Sequence, residues 1–258
     1  MARSSTKTVN VPGSAVAPQR VEKPVLDRAV VVTAALAILN DVGLEGLSLR
    51  RLATVLGVKA PALYWHFKDK QELLDEVATA MLGELVSQER LPDADRPWTD
   101  WFTELGRGLR QMLLHYRDGA RVFTSTYLSD ARLFAPMELF LRRLTESGFP
   151  LRAAVRGAST VYSYTIGFTL EEQAVRPWGV PPEDEDLIRR AERIGASRYQ
   201  LAIDAGENVF TAFDERYEHG LQLIIAGIAQ SVVSDIEPPS GDGPAGDIRP
   251  VIDMEPAG

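Results

Sequence analysis

Along residues 47–70, LSLRRLATVLGVKAPALYWHFKDK, apolar positions recur in two short helical bursts separated by a break. Leu49, Leu52, Ala53 and Leu56 share one helical face, and Ser48 stands where its hydroxyl can accept N–H groups at the helix start. Gly57 follows the last apolar position, where a left-handed residue commonly closes a helix. A second helix resumes near Ala60 with Pro61 in its first turn, where a missing N–H costs nothing. Leu63 and Phe67, one turn apart, point inward, leaving Ala60, Ala62, Tyr64 and His66 to face out. The pattern predicts two short helices joined by a tight turn, a helix-turn-helix.

The same period organises the remaining chain. Residues 26–42 predict a helix begun near Asp27, with Val30, Ala34, Ala37 and Ile38 as its inward stripe and Gly43 as its stop. Asp69 is placed to cap a helix carrying Leu73, Leu74, Val77, Met81 and Leu85 inward. Residues 91–97 read as a loop and 98–116 as a helix with Trp101, Phe102, Leu105, Leu109, Met112 and Leu113 mostly on one side. Arg117, Asp118 and Gly119 break it. A short helix over 121–128 follows, then one over 131–147 capped by Asp130 and ended by Gly148-Phe149-Pro150. Residues 151–174 form a long helix rich in small and aromatic residues. Residues 176–186 are a loop, 187–204 a weak helix, and 208–233 a strong one with Phe213, Tyr217, Leu221, Ile224, Ile225 and Ile228 inward. No strand pattern or repeat stands out. The expected fold is all-α with about ten helices. Its divisions are an extension over 1–24, a helix-turn-helix head over 25–70, a helical body over 71–235 and a tail over 236–258. Both ends are Pro-rich and poor in large apolar residues, and are expected to be disordered.

Composition narrows the functions available. The 258 residues are 45% hydrophobic and 25% charged, an ordinary globular balance with net charge −8. An acidic body does not attract nucleic acid as a whole, so DNA binding needs a local patch. Arg50, Arg51, Lys59, Lys68 and Lys70 provide one, against Asp69 alone. Ala60, Pro61 and Ala62 are small enough to let a backbone approach base edges, and Ala62 could touch a thymine methyl. A helical hairpin with a solvated basic face fits the same spacing. The absence of cysteine excludes disulfides, thiolate metal sites and thiol catalysis. Residues 1–20 lack an apolar signal core, and the longest near-apolar run, 29–39, is about half of a membrane span. A soluble cytoplasmic protein without a membrane partner is expected. There is no G-x-S-x-G, no Gly-rich phosphate loop and no H-E-x-x-H, and His66, His115 and His219 are far apart. Neither an enzyme nor a cofactor or metal site is expected. The acidic run 183–186 reads as a solvated helix start. Arg3, Lys7, Arg20 and Lys23 make the N-terminal extension either a solvated tail or a basic arm for the minor groove.

The run LYWHFKDKQELLD, with the helices around it over 26–82, resembles the DNA-binding domain of the tetracycline-repressor (TetR) family of bacterial regulators. LLHYRDGARVF, LTESGFPLR and HGLQLIIAG are similar to stretches of that family's body, so the resemblance covers about residues 26–233. It implies DNA contacts from Ser48, Arg50, Lys59, Ala60, Pro61, Ala62, Tyr64, His66 and Lys70. Arg50 would donate to a guanine. Pro61 and Tyr64 would meet a thymine methyl and a phosphate, His66 and Lys70 would position the backbone, and Trp65 would pack and hold the recognition helix. Ala60 and Ala62 depart from the polar readers of tetracycline-binding members, which implies a different operator.

The body departs further. In tetracycline-binding members a histidine at the position of Phe123 and a glutamate matching Glu171 help hold a magnesium–drug chelate. Phe123 replaces the histidine, and Leu105 and Leu139 replace polar drug contacts. A tetracycline–magnesium effector is therefore not expected. Thr126 and Glu171 keep a polar handle, and Leu105, Leu109, Phe123, Tyr127, Leu139, Phe140, Tyr162 and Phe168 would line a pocket for a hydrophobic or aromatic small molecule, unless they simply fill a core. Ala154, Gly157 and Ala158, with the apolar last helix, imply a homodimer. The expected function is a repressor released from a palindromic operator by its ligand.

Overall fold

The computed structural model describes residues 26–88, 95–126, 134–176, 178, 199–201, 205 and 211–236, and among them there are nine helices and no strand. The head comprises α1 (Arg28–Gly46), α2 (Leu49–Leu56), α3 (Ala60–Tyr64) and α4 (Lys70–Gln88). The body comprises α5 (Trp98–His115), α6 (Gly119–Thr124), α7 (Phe134–Glu146), α8 (Leu151–Val175) and α9 (Phe213–Ile236). Most of the expected weak helix over 187–204, the acidic run 183–186, Tyr127, Asp130 and both termini lie outside the described residues.

Local signals set most boundaries. Asp27 caps α1 by accepting the Val30 N–H at 2.8 Å, and Asp69 accepts the Glu72 N–H at 2.9 Å at the start of α4. Gly43 kinks α1 with φ 76° and ψ 178°, after which one more turn runs to Gly46. The inward side of α1 is Val31, Val32, Ala35, Ile38 and Leu39, whereas Ala37 is exposed and Val30 and Ala34 are half-buried. The expected stripe is thus displaced by one position. Residues 29–39 are apolar on nearly every side, so the period selects no face, and packing against α2 and α4 decides it. By length and composition α1 could cross a membrane, yet here it is the central helix of a folded head.

Around residue 119 the structure also differs from expectation. Asp118 takes the left-handed conformation, φ 57°, and Gly119 opens α6. A Cβ on Gly119 would lie 2.2 Å from the Leu113 carbonyl oxygen, so glycine lets the turn close against α5 and the helix begin early.

The interior has two apolar centres. One joins α1–α4 to Leu109, Met112, Leu113, Tyr116, Val122 and Phe123 of the body. The other gathers Phe102, Phe140, Leu144, Phe149, Tyr217 and Leu221, with α8 packed between α5 and α9. Ala154 and Gly157 of α8 are buried in that second centre. A Cβ on Gly157 would meet Phe102 at 3.0 Å and Ile228 at 3.3 Å. These small residues therefore serve close packing within the chain, and do not form the exposed face that dimerisation was expected to use.

Tyr217 is fully buried, with its hydroxyl 2.8 Å from Thr165 Oγ1, and burial pushes its pKa up to about 12. Burial, then the hydrogen bond to Glu84, pushes Tyr116 upward too. Since the raised pKa favours the neutral folded form, its contribution is complete below pH 10, the ordinary tyrosine value, and declines toward pH 12. Unfolding free energy measured by urea titration is expected to fall across that window, with a shallower fall in Tyr217→Phe. Identical slopes would refute the assignment.

Candidate nucleic-acid interface and ligand-binding body

The turn between α2 and α3 is built from backbone chemistry. Ser48 Oγ accepts the Arg51 N–H at 3.2 Å. Gly57 adopts φ 64° and ψ 31°, and the Val58 N–H reaches the Ala53 carbonyl at 3.0 Å, which closes α2 as a left-handed C-cap. α3 has five residues, and its Leu63 carbonyl accepts both the His66 and Phe67 N–H groups at 2.9 Å. Leu63 and Phe67 are fully buried and clamp this short helix to the head. Arg50, Arg51, Lys59, Pro61, Tyr64 and Lys68 are exposed. Among the described residues no ion pair neutralises Arg50, Arg51, Lys59 or Lys68.

Several expected contacts sit differently. Ser48 is exposed, but its hydroxyl is engaged as the α2 cap. Ala60, Ala62 and His66 are half-buried, and Ala60 packs against the head core. Lys70 donates to the Leu44 carbonyl at 2.9 Å, which fastens it to the end of α1. Trp65 does not pack against the head: 89% of it is exposed. Leu63 and Phe67 already fill the inward positions, so the residue two places after Leu63 turns to the outer side.

In the body the expected pocket residues separate between core and surface. Leu109 and Phe123 are buried in the first apolar centre and Phe140 in the second, while Leu105 and Phe168 are half-buried against the second. Phe123 and Tyr162 bring their ring centroids to 6.4 Å, but Tyr162 and Leu139 are 43% and 42% exposed. The half-buried Thr126 donates its hydroxyl to the Phe123 carbonyl at 2.9 Å. Glu171 is exposed and 3.7 Å from Arg216. Two clefts hold about 450 and 310 Å³, and polar residues such as Arg107, Arg110, Arg117 and Arg121 line them. None of the expected pocket residues lines either cleft.

Sequence reading singled out Glu171 and passed over its neighbour. Glu172 is buried and accepts two hydrogen bonds from Arg110, each 2.9 Å. Arg110 also reaches Asp214 at 2.7 Å and lies 4.8 Å from the Tyr217 ring centroid. The bidentate pair ties α5 to α8, and Asp214 adds α9. The signal was present: Val161, Thr165, Thr169 and Glu172 continue one inward stripe along α8, and all are buried.

Comparison with known proteins agrees with this architecture. Residues 31–77 match the model for bacterial regulatory proteins of the tetR family, and residues 91–232 match the tetracyclin repressor-like C-terminal domain. The chain is 38% identical over 213 residues to the class A tetracycline repressor protein from transposon 1721 of Escherichia coli, spanning 81% of this chain and 94% of that one. The chain belongs to the TetR family. Two solved members of this fold contain ligands. A TetR variant from Acinetobacter baumannii AYE in complex with minocycline is 32% identical, with TM-score 0.61 over 80% of this chain and 98% of that one. ActR of Streptomyces coelicolor in complex with actinorhodin is 28% identical, with TM-score 0.67 over the same shares. As in other TetR-family transcriptional regulators, the head is the DNA-binding part and the body the ligand-binding part.

In this TetR-family chain the two parts meet at the kink of α1. The Asp118 carboxylate accepts the Leu44 N–H at 2.8 Å, and the Arg117 N–H donates to Asn40 Oδ1 at 2.9 Å. Arg117 also donates to the Asp41 carbonyl at 2.7 Å, and Arg121 pairs with Glu45 at 2.8 Å. From the other side Gln173 of α8 donates to the Leu113 and Tyr116 carbonyls at 3.0 Å and accepts the Ala120 N–H at 3.1 Å. The turn before α6 is thereby held by α8 and holds the head. Asp118→Ala strands the half-buried Leu44 N–H and is expected to cost about 1–3 kcal/mol. A urea titration with unchanged midpoint would show that this acceptor adds nothing.

Proposed function

We propose that the protein is a repressor that binds a palindromic operator as a homodimer and leaves it when a bulky, largely apolar or aromatic molecule occupies the body. One observation carries the reading: the Gly57 turn presents Arg50, Lys59, Tyr64 and Lys68 outward around a short helix wedged on Leu63 and Phe67, in a chain of the TetR family. Arg50 donates to a guanine, Pro61 meets a thymine methyl, and Tyr64 meets a phosphate. Lys59 and Lys68 add phosphate attraction, and His66 and Lys70 fix the local backbone. Ala60 and Ala62 contribute close approach without hydrogen-bonded readout. The exposed Trp65 offers its ring to the same surface.

Leu105, Leu109, Phe123, Leu139, Phe140, Tyr162 and Phe168 are proposed to meet the effector once it parts the packing they hold here, with Thr126 and Glu171 as its polar contacts. Minocycline and actinorhodin, bound by the two relatives, support a flat aromatic ligand. Phe123 offers no donor to a metal, so the ligand is not held as a tetracycline–magnesium chelate. The protein acts in the cytoplasm as a regulator and not as an enzyme. The effector releases DNA by binding the mis-spaced dimer more tightly than the operator-bound one.

Arg50→Ala and Tyr64→Ala are each expected to weaken operator binding by about 1–3 kcal/mol, read as about a fivefold or larger change in a gel shift at fixed salt. Wild-type shifts in both variants would overturn the proposal.

The dimer is proposed to use outward apolar residues on α8 and α9. Leu151 and Val155 run along α8 at 58% and 44% exposure, and Leu223 of α9 is 61% exposed. A two-fold pairing there would set half-sites about 34–36 Å apart along DNA. Sedimentation at micromolar concentration should give a dimer for the wild type and a monomer for Val155→Arg combined with Leu223→Arg. A wild-type monomer would sink the pairing.

A further inference from the structure

α3 is too short to hold an orientation by itself, because a five-residue helix forms few internal hydrogen bonds. Its outgoing end needs partners for its carbonyl groups. One side chain outside the helix-turn-helix reaches the backbone just past that end. Arg28, the first residue of α1, donates to the His66 carbonyl just beyond α3. The same guanidinium donates to Glu72 at 3.1 Å and to Glu76 at 2.8 Å, on successive turns of α4. Its central carbon lies 4.5 Å from the ring centroid of Phe67, the buried residue that clamps α3. Glu72 returns to the same junction: its other oxygen accepts the Lys68 N–H at 2.8 Å. Arg28 thus touches the end of the reading helix, its apolar anchor and two turns of α4.

Helix α4 is also tied to the body. Gln71 donates to the Ser125 carbonyl at 2.7 Å beyond α6, and Glu84 accepts the Tyr116 hydroxyl. A shift of α4 along the body therefore displaces Glu72 and Glu76, and with them the guanidinium that holds the His66 carbonyl. We propose that Arg28 is a positioning residue: it sets the angle of α3 against α4, and it carries movement of α4 to the DNA-reading surface. This inference rests on the DNA-binding role proposed above. A planar guanidinium suits the task, since it reaches a carbonyl and two carboxylates at once, whereas an ammonium has no such fixed fork.

The test uses the full chain and two duplexes: one enriched from a random pool by the wild-type protein, and one of random sequence. Arg28→Ala is expected to weaken binding to the enriched duplex about tenfold and leave random-duplex binding nearly unchanged, because Arg28 reads no base and its bonds are internal. Arg28→Lys should restore less than half of that loss. Glu76→Gln keeps the His66 bond and removes one anchor, so a loss of about threefold is expected. Hydrogen exchange without DNA should be faster at residues 63–68 in Arg28→Ala, with overall helicity and thermal midpoint checked alongside. Wild-type affinity for the enriched duplex in Arg28→Ala would overturn the inference, as would an equal loss on both duplexes. If the wild type enriches no sequence, the proposed function fails instead. Exchange then decides alone, and unchanged rates at residues 63–68 would refute the positioning role. Should Arg28→Ala fail to fold, Glu76→Gln decides by the same two readouts.

Discussion

The structure turns on the burial of one helix by two partners. Leu73, Leu74, Val77, Ala78 and Met81 of α4 are all buried, and they belong to an apolar centre that runs from α1 and α2 into α5 and α6. Each large side chain so buried is worth about 1.5–3 kcal/mol. Separating head from body would expose a large part of that centre. The head is therefore held to the body by packing as well as by the sequence joining them. A division of the chain at residue 70 describes the order of the elements but not the energetics, because α4 completes the head core while it joins the body.

Polar groups add direction to this packing. Four arginines at three junctions do comparable work. Arg28 gathers α1, α4 and the end of α3, Arg110 gathers α5, α8 and α9, and Arg117 with Arg121 fastens the turn before α6 to the kinked end of α1. The Arg110–Glu172 pair is the most buried of them, with side-chain exposures of 11% and 3%. Buried pairs of this kind contribute little net stability against an apolar replacement, yet losing one partner is costly. Their effect is to specify which surfaces meet. On a chain with net charge −8, these arginines are engaged by partners within the chain, while Arg50, Arg51, Lys59 and Lys68 stand exposed around α2 and α3.

What could be read from the sequence was what local chemistry dictates. Ser48, Gly57, Pro61 and the Leu63–Phe67 pair act within a few residues of each other, and the turn they predict is the turn observed. The register of α1 was not legible, because an all-round apolar run has no preferred face until α2 and α4 choose one. The small residues of α8 were open to two uses, and the aromatic ring of Phe102 decided for internal packing. Pocket and core draw on the same residue types, so Leu109, Phe123 and Phe140 carried no mark to separate the two. Glu172 did carry one, a carboxylate on a buried stripe, but its partner Arg110 lies 62 residues away and no local rule connects them. Arg28 was hidden for the same reason: its acceptors lie 38 to 48 residues downstream.

A continuous core also constrains how any signal can travel. Loosening the junction would cost the burial that stabilises the head, so a switch that melts it is unfavourable. Close-packed interiors respond instead by moving elements as units between discrete arrangements. Two rigid links cross this junction, α4 with its buried face and the turn before α6 held between Gln173 and Leu44. A ligand that displaces α8 acts on the second link through Gln173, and the head must then follow as a body or strain the first. The reach of such a motion is fixed by geometry, but its population is fixed by differential affinity. Reversing a hundredfold preference for one arrangement takes about 5.5 kcal/mol of selective binding. That selectivity has to come from contacts made in one arrangement of α8 and absent in the other, which places the demand on the body and leaves the head free to evolve its own reading surface.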